Sequence, residues 1–150
     1  MFEVAINFRD EGKFEDAIKE FLKIIATHPD HSDIGGVFTT LAGVYTDLND
    51  YSSSSVNFKR GTELNPKSEI ASLGLYVSYV ELGRHIEAIA ELIRYLEKYP
   101  AKLYKITLGE LLEGFKKGYM LSFKDTITQL AKKNGVDTVN KKTKGRKKRY

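Results

Sequence analysis

The chain of 150 residues contains no cysteine. A disulfide framework, a thiolate metal site and a cysteine nucleophile are thereby excluded, and a reducing cytosol suits the protein. Long apolar runs are missing as well. No stretch of 18 apolar residues occurs, and the opening residues, MFEVAINFRDEG, carry neither a basic leader nor a cleavable apolar run. Neither a membrane span nor a secretory signal is expected. Glycine-rich phosphate loops and G-x-S-x-G elbows are also missing, so nucleotide binding and serine hydrolysis of that type have no sequence support. Proline is reduced to Pro29, Pro66 and Pro100.

What is present is divided by charge. Residues 132 to 150 hold nine of the 24 basic residues and one of the 20 acidic ones, so this tail is +8. The remaining 131 positions hold 15 basic and 19 acidic residues, a body of −4. The overall +4 and the pI near 9.1 therefore describe the tail, and body and tail need separate readings. An apolar content of 41% is enough to bury the core of one domain.

The body repeats. VAINFRDEGKFEDAIKEFLKIIATHP (4 to 29), LAGVYTDLNDYSSSSVNFKRGTELNP (41 to 66) and LYVSYVELGRHIEAIAELIRYLEKYP (75 to 100) align without gaps. Their closing prolines lie 37 and 34 residues apart, a period of 34 with one short insertion at HSD. Each unit opens with Val4, Ala5 and Phe8, with Leu41, Ala42 and Tyr45, or with Leu75, Tyr76 and Tyr79, a spacing that forms one helical stripe. Four residues after the aromatic comes Gly12, Asn49 or Gly83, types that tolerate the left-handed conformation ending a helix. A second helix follows, with Ala17, Ser54 or Ala88 and, four later, Phe21, Phe58 or Leu92. The proline closes it. Helix pairs this short cannot bury their own apolar faces, so they must stack.

This pattern resembles the tetratricopeptide repeat, a 34-residue antiparallel helix pair with a small residue at the crossing and a proline near its end. The resemblance covers residues 1 to about 100. It implies an all-α fold: a right-handed α-solenoid of about three helix pairs over 1–31, 35–68 and 69–102. Departures gather in the second repeat, where Asn49 replaces the turn glycine and Ser54 the crossing alanine. The run Ser52 to Ser55 weakens that helix locally, so the second pair should be the least stable. The four serines read either as a polar, solvent-facing helix start or as phosphorylation sites.

Residues 103–135 continue the pattern loosely. Ile106, Leu108, Leu111, Leu112 and Phe115 are expected on one apolar face, and Ser122 three residues before Asp125 looks like a capping box. Phe123, Ile127, Leu130 and Ala131 follow at helical spacing and Gly135 ends the run. A degenerate capping pair is expected, making 1–135 one repeat domain and 136–150 a disordered basic tail.

Candidate chemistry is sparse, and no enzyme activity or cofactor is expected. His28, Asp30, His31 and Asp33 in HPDHSD have suitable ligand atoms for a divalent metal, but they lie in an inter-repeat loop where polar residues are the default, so no metal site is expected. His85, where Phe14 and Tyr51 sit in the other pairs, reads as a packing residue.

The tetratricopeptide resemblance implies instead a concave face lined by the first helix of each pair. Counting back from the turn residues, that carries the lining onto Phe2, Thr39 and Leu73; Ile6, Gly43 and Val77; Arg9, Thr46 and Val80; and Asp10, Asp47 and Glu81. The floor is mainly apolar with one carboxylate per repeat at an edge, suited to a protein or peptide that is basic and bears apolar anchors. The lysine, arginine and asparagine set by which some relatives grip a chaperone's terminal carboxylate is missing here. An external ligand and the chain's own helix at 103–117 both remain candidates to fill the groove.

The tail, with Lys141, Lys142, Lys144, Arg146, Lys147, Lys148 and Arg149, has three readings: adhesion to nucleic-acid phosphates, a nuclear import signal if the source is eukaryotic, or a solubilising segment that touches the acidic body. The expectation is a cytoplasmic adaptor or scaffold that binds another protein. Two alternatives stand beside it: an RNA- or ribosome-associated accessory protein using the tail, and a small inhibitor or immunity protein that masks a toxin.

Overall fold

A computed structural model describes residues 1–137; the tail lysines and arginines from Lys141 to Arg149 lie outside the described residues. Among those described there are eight α-helices and no strand. They are α1 Glu3–Asp10, α2 Phe14–Thr27, α3 Ile34–Asp47, α4 Tyr51–Leu64, α5 Glu69–Glu81, α6 His85–Leu96, α7 Tyr104–Lys116 and α8 Lys124–Lys133, with a 3-10 turn at Leu121–Phe123. None is long and apolar enough to cross a membrane. The described residues group into two compact units, Met1–Tyr95 and 96–137, with the division at the end of α6.

Within the first unit one corner occurs three times. Gly12, Asn49 and Gly83 take φ of 75°, 58° and 75°, and the residue after each donates its N–H five residues back. Lys13 bonds the Phe8 carbonyl at 2.8 Å, Asp50 that of Tyr45 at 2.9 Å and Arg84 that of Tyr79 at 2.8 Å. A left-handed residue is what lets the chain fold back to make this bond, and glycine and asparagine are the types that reach it at least cost.

A second corner occurs twice. α2 and α4 stop two residues before Pro29 and Pro66, with His28 and Asn65 at φ of −133° and −138°, outside the helical region that a following proline disfavours. Their N–H groups bond the Ile24 and Gly61 carbonyls, and their own carbonyls accept from His31 and Ser68, so each proline sits in an equivalent tight turn. Pro100 differs, because α6 already ends at Leu96, four residues before it.

Two apolar clusters lie within the first unit. Ala5 of α1, Ala17, Phe21 and Ile24 of α2, and Ile34, Val37, Leu41 and Val44 of α3 make one; Ala42, Phe58, Leu75, Tyr79 and Ala88 make the other. The crossing positions Ala17, Ser54 and Ala88 are fully buried, as close helix contact requires of small side chains. Gly74 presses against the Phe58 ring and Gly61 against the Thr39 hydroxyl, bringing α4 within backbone reach of both α5 and α3. Val4 departs from the expected stripe. It is 54% exposed, whereas its counterpart Leu41 is buried among α2 residues, and α1 is the first helix in the order.

The serine run is not uniformly solvent-facing. Ser52 is exposed, but Ser54 and Ser55 are buried. Asp50 caps α4 by accepting from the Ser53 N–H at 3.1 Å and the Ser53 hydroxyl at 2.7 Å. Ser54 Oγ lies 2.7 Å from Thr46 Oγ1 of α3 and 2.8 Å from Ser78 Oγ of α5, tying three helices together. Thr46 also faces the Ala42 carbonyl at 3.1 Å and Ser78 the Gly74 carbonyl at 2.8 Å. Three hydroxyl protons serve four contacts. The three shortest are all satisfied when donation runs from Thr46 to Ser54, to Ser78, to the Gly74 carbonyl.

In the second unit α7 buries Tyr104, Leu108, Leu111, Leu112 and Phe115, and α8 buries Ile127, Leu130 and Ala131. Ile106, expected on the inner face, is 75% exposed, because at about 100° per residue it lies roughly 200° round the helix from Tyr104. Nor does Ser122 cap α8. It lies inside the 3-10 turn that follows Met120, itself left-handed at φ 51°, and α8 begins without a side-chain cap bond.

Two substitutions separate corner from ladder. A Cβ at Gly83 would meet nothing within 4 Å, so Gly83→Ala isolates the backbone cost, and urea denaturation should show a loss of about 1 kcal/mol. Ser54→Ala leaves Thr46 and Ser78 their backbone acceptors, so the same measurement should change by less than about 1 kcal/mol.

Candidate functional site

The twelve positions expected to line a face all belong to the first unit, on or beside α1, α3 and α5, but they do not form a uniform floor. Phe2 and Ile6 are half-buried against the first apolar cluster, and the Phe2 ring meets His31 edge-on with centroids 5.3 Å apart. Thr39 and Thr46 turn toward α4. The Thr39 hydroxyl bonds the Gly35 carbonyl at 2.9 Å beside Gly61, and that of Thr46 joins the serine ladder. Val80 is half-buried against the second cluster. Accessible surface remains at Gly43, where an added Cβ would meet open space, at half-buried Leu73 and at Val77, 40% exposed.

The three carboxylates also differ. Asp10 is neutralised by its neighbour, since Arg9 Nε and Nη2 both donate to Asp10 Oδ1 at 3.0 and 2.9 Å. Asp47 and Glu81 are exposed and stand outside every ion pair among the described residues. They hold the same place in the second and third pairs, two residues before Asn49 and Gly83. An uncompensated carboxylate at a helix C-terminus faces the negative end of the helix dipole, so a cation brought to either is favoured twice over.

At the start of α6 and along it, Arg84 and Glu87, and Glu91 and Arg94, are paired. Arg84 donates from Nε to Glu87 Oε1 at 2.8 Å while its guanidinium lies 4.6 Å from the centre of the Tyr79 ring. That donation holds the Glu87 carboxyl below its ordinary value; burial pushes the Tyr79 phenol up, against the pull of Arg84. Glu91, only 8% exposed, accepts from the Ser72 hydroxyl at 2.6 Å and from Arg94 at 2.8 and 2.7 Å. This link locks α5 to α6 behind the accessible residues. The Ser72–Glu91–Arg94 set and the Thr46–Ser54–Ser78 ladder went unanticipated. Their only sequence signal is polar residues at inward-facing helical positions.

No group of three or more histidine, cysteine, aspartate or glutamate side chains converges among the described residues. His28 Nδ1 lies 2.7 Å from the Thr27 hydroxyl, and His31 Nδ1 accepts the Asp33 N–H at 3.0 Å, so each ring is engaged within its own loop. His85, at the first position of α6, is half-buried. Comparison with protein-family models and with curated proteins finds no match for this chain.

Removing the Glu91 carboxylate should loosen α5 against α6. Glu91→Ala is expected to cost about 1–3 kcal/mol in urea denaturation, and Glu91→Gln, which keeps an acceptor for Ser72, should cost less.

Proposed function

We propose that this protein is a non-catalytic interaction module whose first helices present a face to another protein. In this reading α1–α2, α3–α4 and α5–α6 are tetratricopeptide-like pairs stacked as a right-handed α-solenoid, and α7–α8 is a degenerate fourth pair. The observation that carries it is the recurrence of one corner, with a left-handed residue and a bond five residues back, at Gly12, Asn49 and Gly83. Like corners give each pair the same internal turn, and the contacts of α3 with both α4 and α5 are those expected of neighbouring pairs.

The partner in this reading is basic and carries apolar anchors. Asp47 and Glu81 supply repeated, uncompensated negative charge, and Leu73 and Val77, one helical turn apart on α5, supply apolar contact. Asp10, already paired, contributes less than its position in the repeat suggests. A cysteine-free adaptor of this kind suits the cytoplasm.

The test begins with capture by the full chain, identification of the captured protein by mass, and titration of that protein against variants. Leu73→Asp with Val77→Asp should weaken binding at least about tenfold, the scale of losing one buried apolar anchor. Asp47→Lys with Glu81→Lys should slow association at low salt and have little effect at high salt. Unchanged affinity in the folded Leu73/Val77 double variant would remove this face from consideration.

A further inference from the structure

Gly36 and Gly43 stand seven residues apart on α3, and an added Cβ would meet nothing within 4 Å at either. Both lie on the outward stripe that ends at Asp47. The same places on α5, 34 residues on, hold Ile70, Val77 and Glu81. Ile70 is 64% exposed and Val77 40%, with half-buried Leu73 between them, so α5 carries an apolar ridge where α3 is bare. α1, which shares the first apolar cluster with α3, brings half-buried Phe2 and Ile6 to the places 37 residues before Thr39 and Gly43. In the stacked order proposed above, α3 is therefore the bed of a trough and its neighbours are the banks.

The bed has few hydrogen-bonding groups for a ligand. The Thr39 and Thr40 hydroxyls donate to the Gly35 and Gly36 carbonyls of their own helix, each at 2.9 Å, and that of Thr46 is engaged in the serine ladder. Ile70, Leu73 and Val77 carry no polar side-chain atom. An extended peptide laid here would cover backbone N–H and C=O groups with nothing to receive them, whereas a helix satisfies its own. The trough is also negative at one end. Asp47 and Glu81 are the last residues of α3 and α5, both exposed and outside every ion pair among the described residues. The carbonyl ends of the same two helices add to that charge, and a helix running antiparallel to α3 brings its positive N-terminal end to meet it.

We propose, resting on the first-helix reading above, that the occupant of this face is an amphipathic α-helix of the partner protein. It lies along α3 and antiparallel to it, with large apolar side chains over Gly36 and Gly43 and cationic residues just before its first turn. The missing side chains of α3 leave room that only large side chains of the occupant fill at the density of a packed interface. From Gly36 to Asp47 the bed runs about 17 Å, about three turns, so the occupant's anchors fall at i, i+4, i+7 and i+11.

The probe is a synthetic peptide of about 18 residues with lysines at its start, leucine at that spacing, and alanine and glutamine elsewhere. It is labelled at its C-terminus and titrated with the full chain by fluorescence anisotropy at about 100 mM salt. Binding with a Kd of about 100 μM or tighter is expected. Central prolines that break the helix and leave the leucines in place should weaken it at least about tenfold. Moving the lysines to the C-terminal end should weaken it about threefold. Gly36→Leu with Gly43→Leu fills the bed and should weaken binding at least about tenfold. Urea denaturation of that variant should show no loss of stability, since leucine favours helix over glycine and each Cβ has free space. Binding absent at about 1 mM protein, equal binding of the proline peptide, or unchanged binding by the glycine double variant would overturn the proposal. So would a chain that sediments as a dimer and becomes monomeric with the two leucines, which gives the trough to a second copy. Leu73→Asp with Val77→Asp separates this proposal from the reading beneath it. Loss of binding there with none in the glycine variant leaves the first-helix face standing and removes the helical occupant, whereas no loss in either variant removes both.

Discussion

A backbone N–H reaching back five residues, from Lys13 to Phe8, from Asp50 to Tyr45 and from Arg84 to Tyr79, is the constraint on which the first unit depends. It forms only when the intervening residue turns left-handed, and it fixes where the second helix of each pair must run. With the direction fixed, the small residues Ala17, Ser54 and Ala88 come to the crossings, and the bulky Phe21, Phe58 and Leu92, one turn later, become buried. The clusters that result draw on successive helices: Ala5 to Val44 join α1, α2 and α3, and Ala42 to Ala88 join α3 to α6. No single pair owns either cluster. Each pair is ordered by the next.

That dependence explains which parts of the fold were legible in the sequence. Turn residues and prolines are local signals with local causes, so the corners at Gly12, Asn49, Gly83, Pro29 and Pro66 stand where their spacing put them. Pro100 does not match, since a proline limits how far a helix can run without fixing where it stops, and α6 ends two residues earlier relative to its proline than α2 and α4 do. Ile106 and Val4 were misplaced for another reason. Periodicity identifies a stripe but does not say how wide the covered part is, and coverage depends on which neighbour lies alongside.

The candidate face was legible in outline and blurred in detail. Offsets from the turn residues located twelve positions, but a backbone offset does not give the direction of a side chain. Thr39 and Thr46 are polar yet find partners inside, in the Gly35 carbonyl and Ser54, and so turn away from solvent. Asp10 carries the charge of its counterparts, but Arg9 one residue earlier cancels it, a pairing the repeat alignment does not reveal because Thr46 and Val80 stand at that place in the other pairs. What distinguishes Asp47 and Glu81 is the lack of any such neighbour. The serine ladder shows the converse: a run that weakens helix propensity also supplies the hydroxyls that bind α4 to α3 and α5.

The claim that neighbouring pairs order one another is tested most directly by amide hydrogen exchange on the full chain and on Phe21→Ala. Phe21 belongs to α2 but packs in the cluster shared with α3. The account predicts that its truncation lowers protection in α3 and α4 together with α1 and α2. Protection lost from α1 and α2 alone, with α3 and α4 exchanging as in the parent chain, would contradict it.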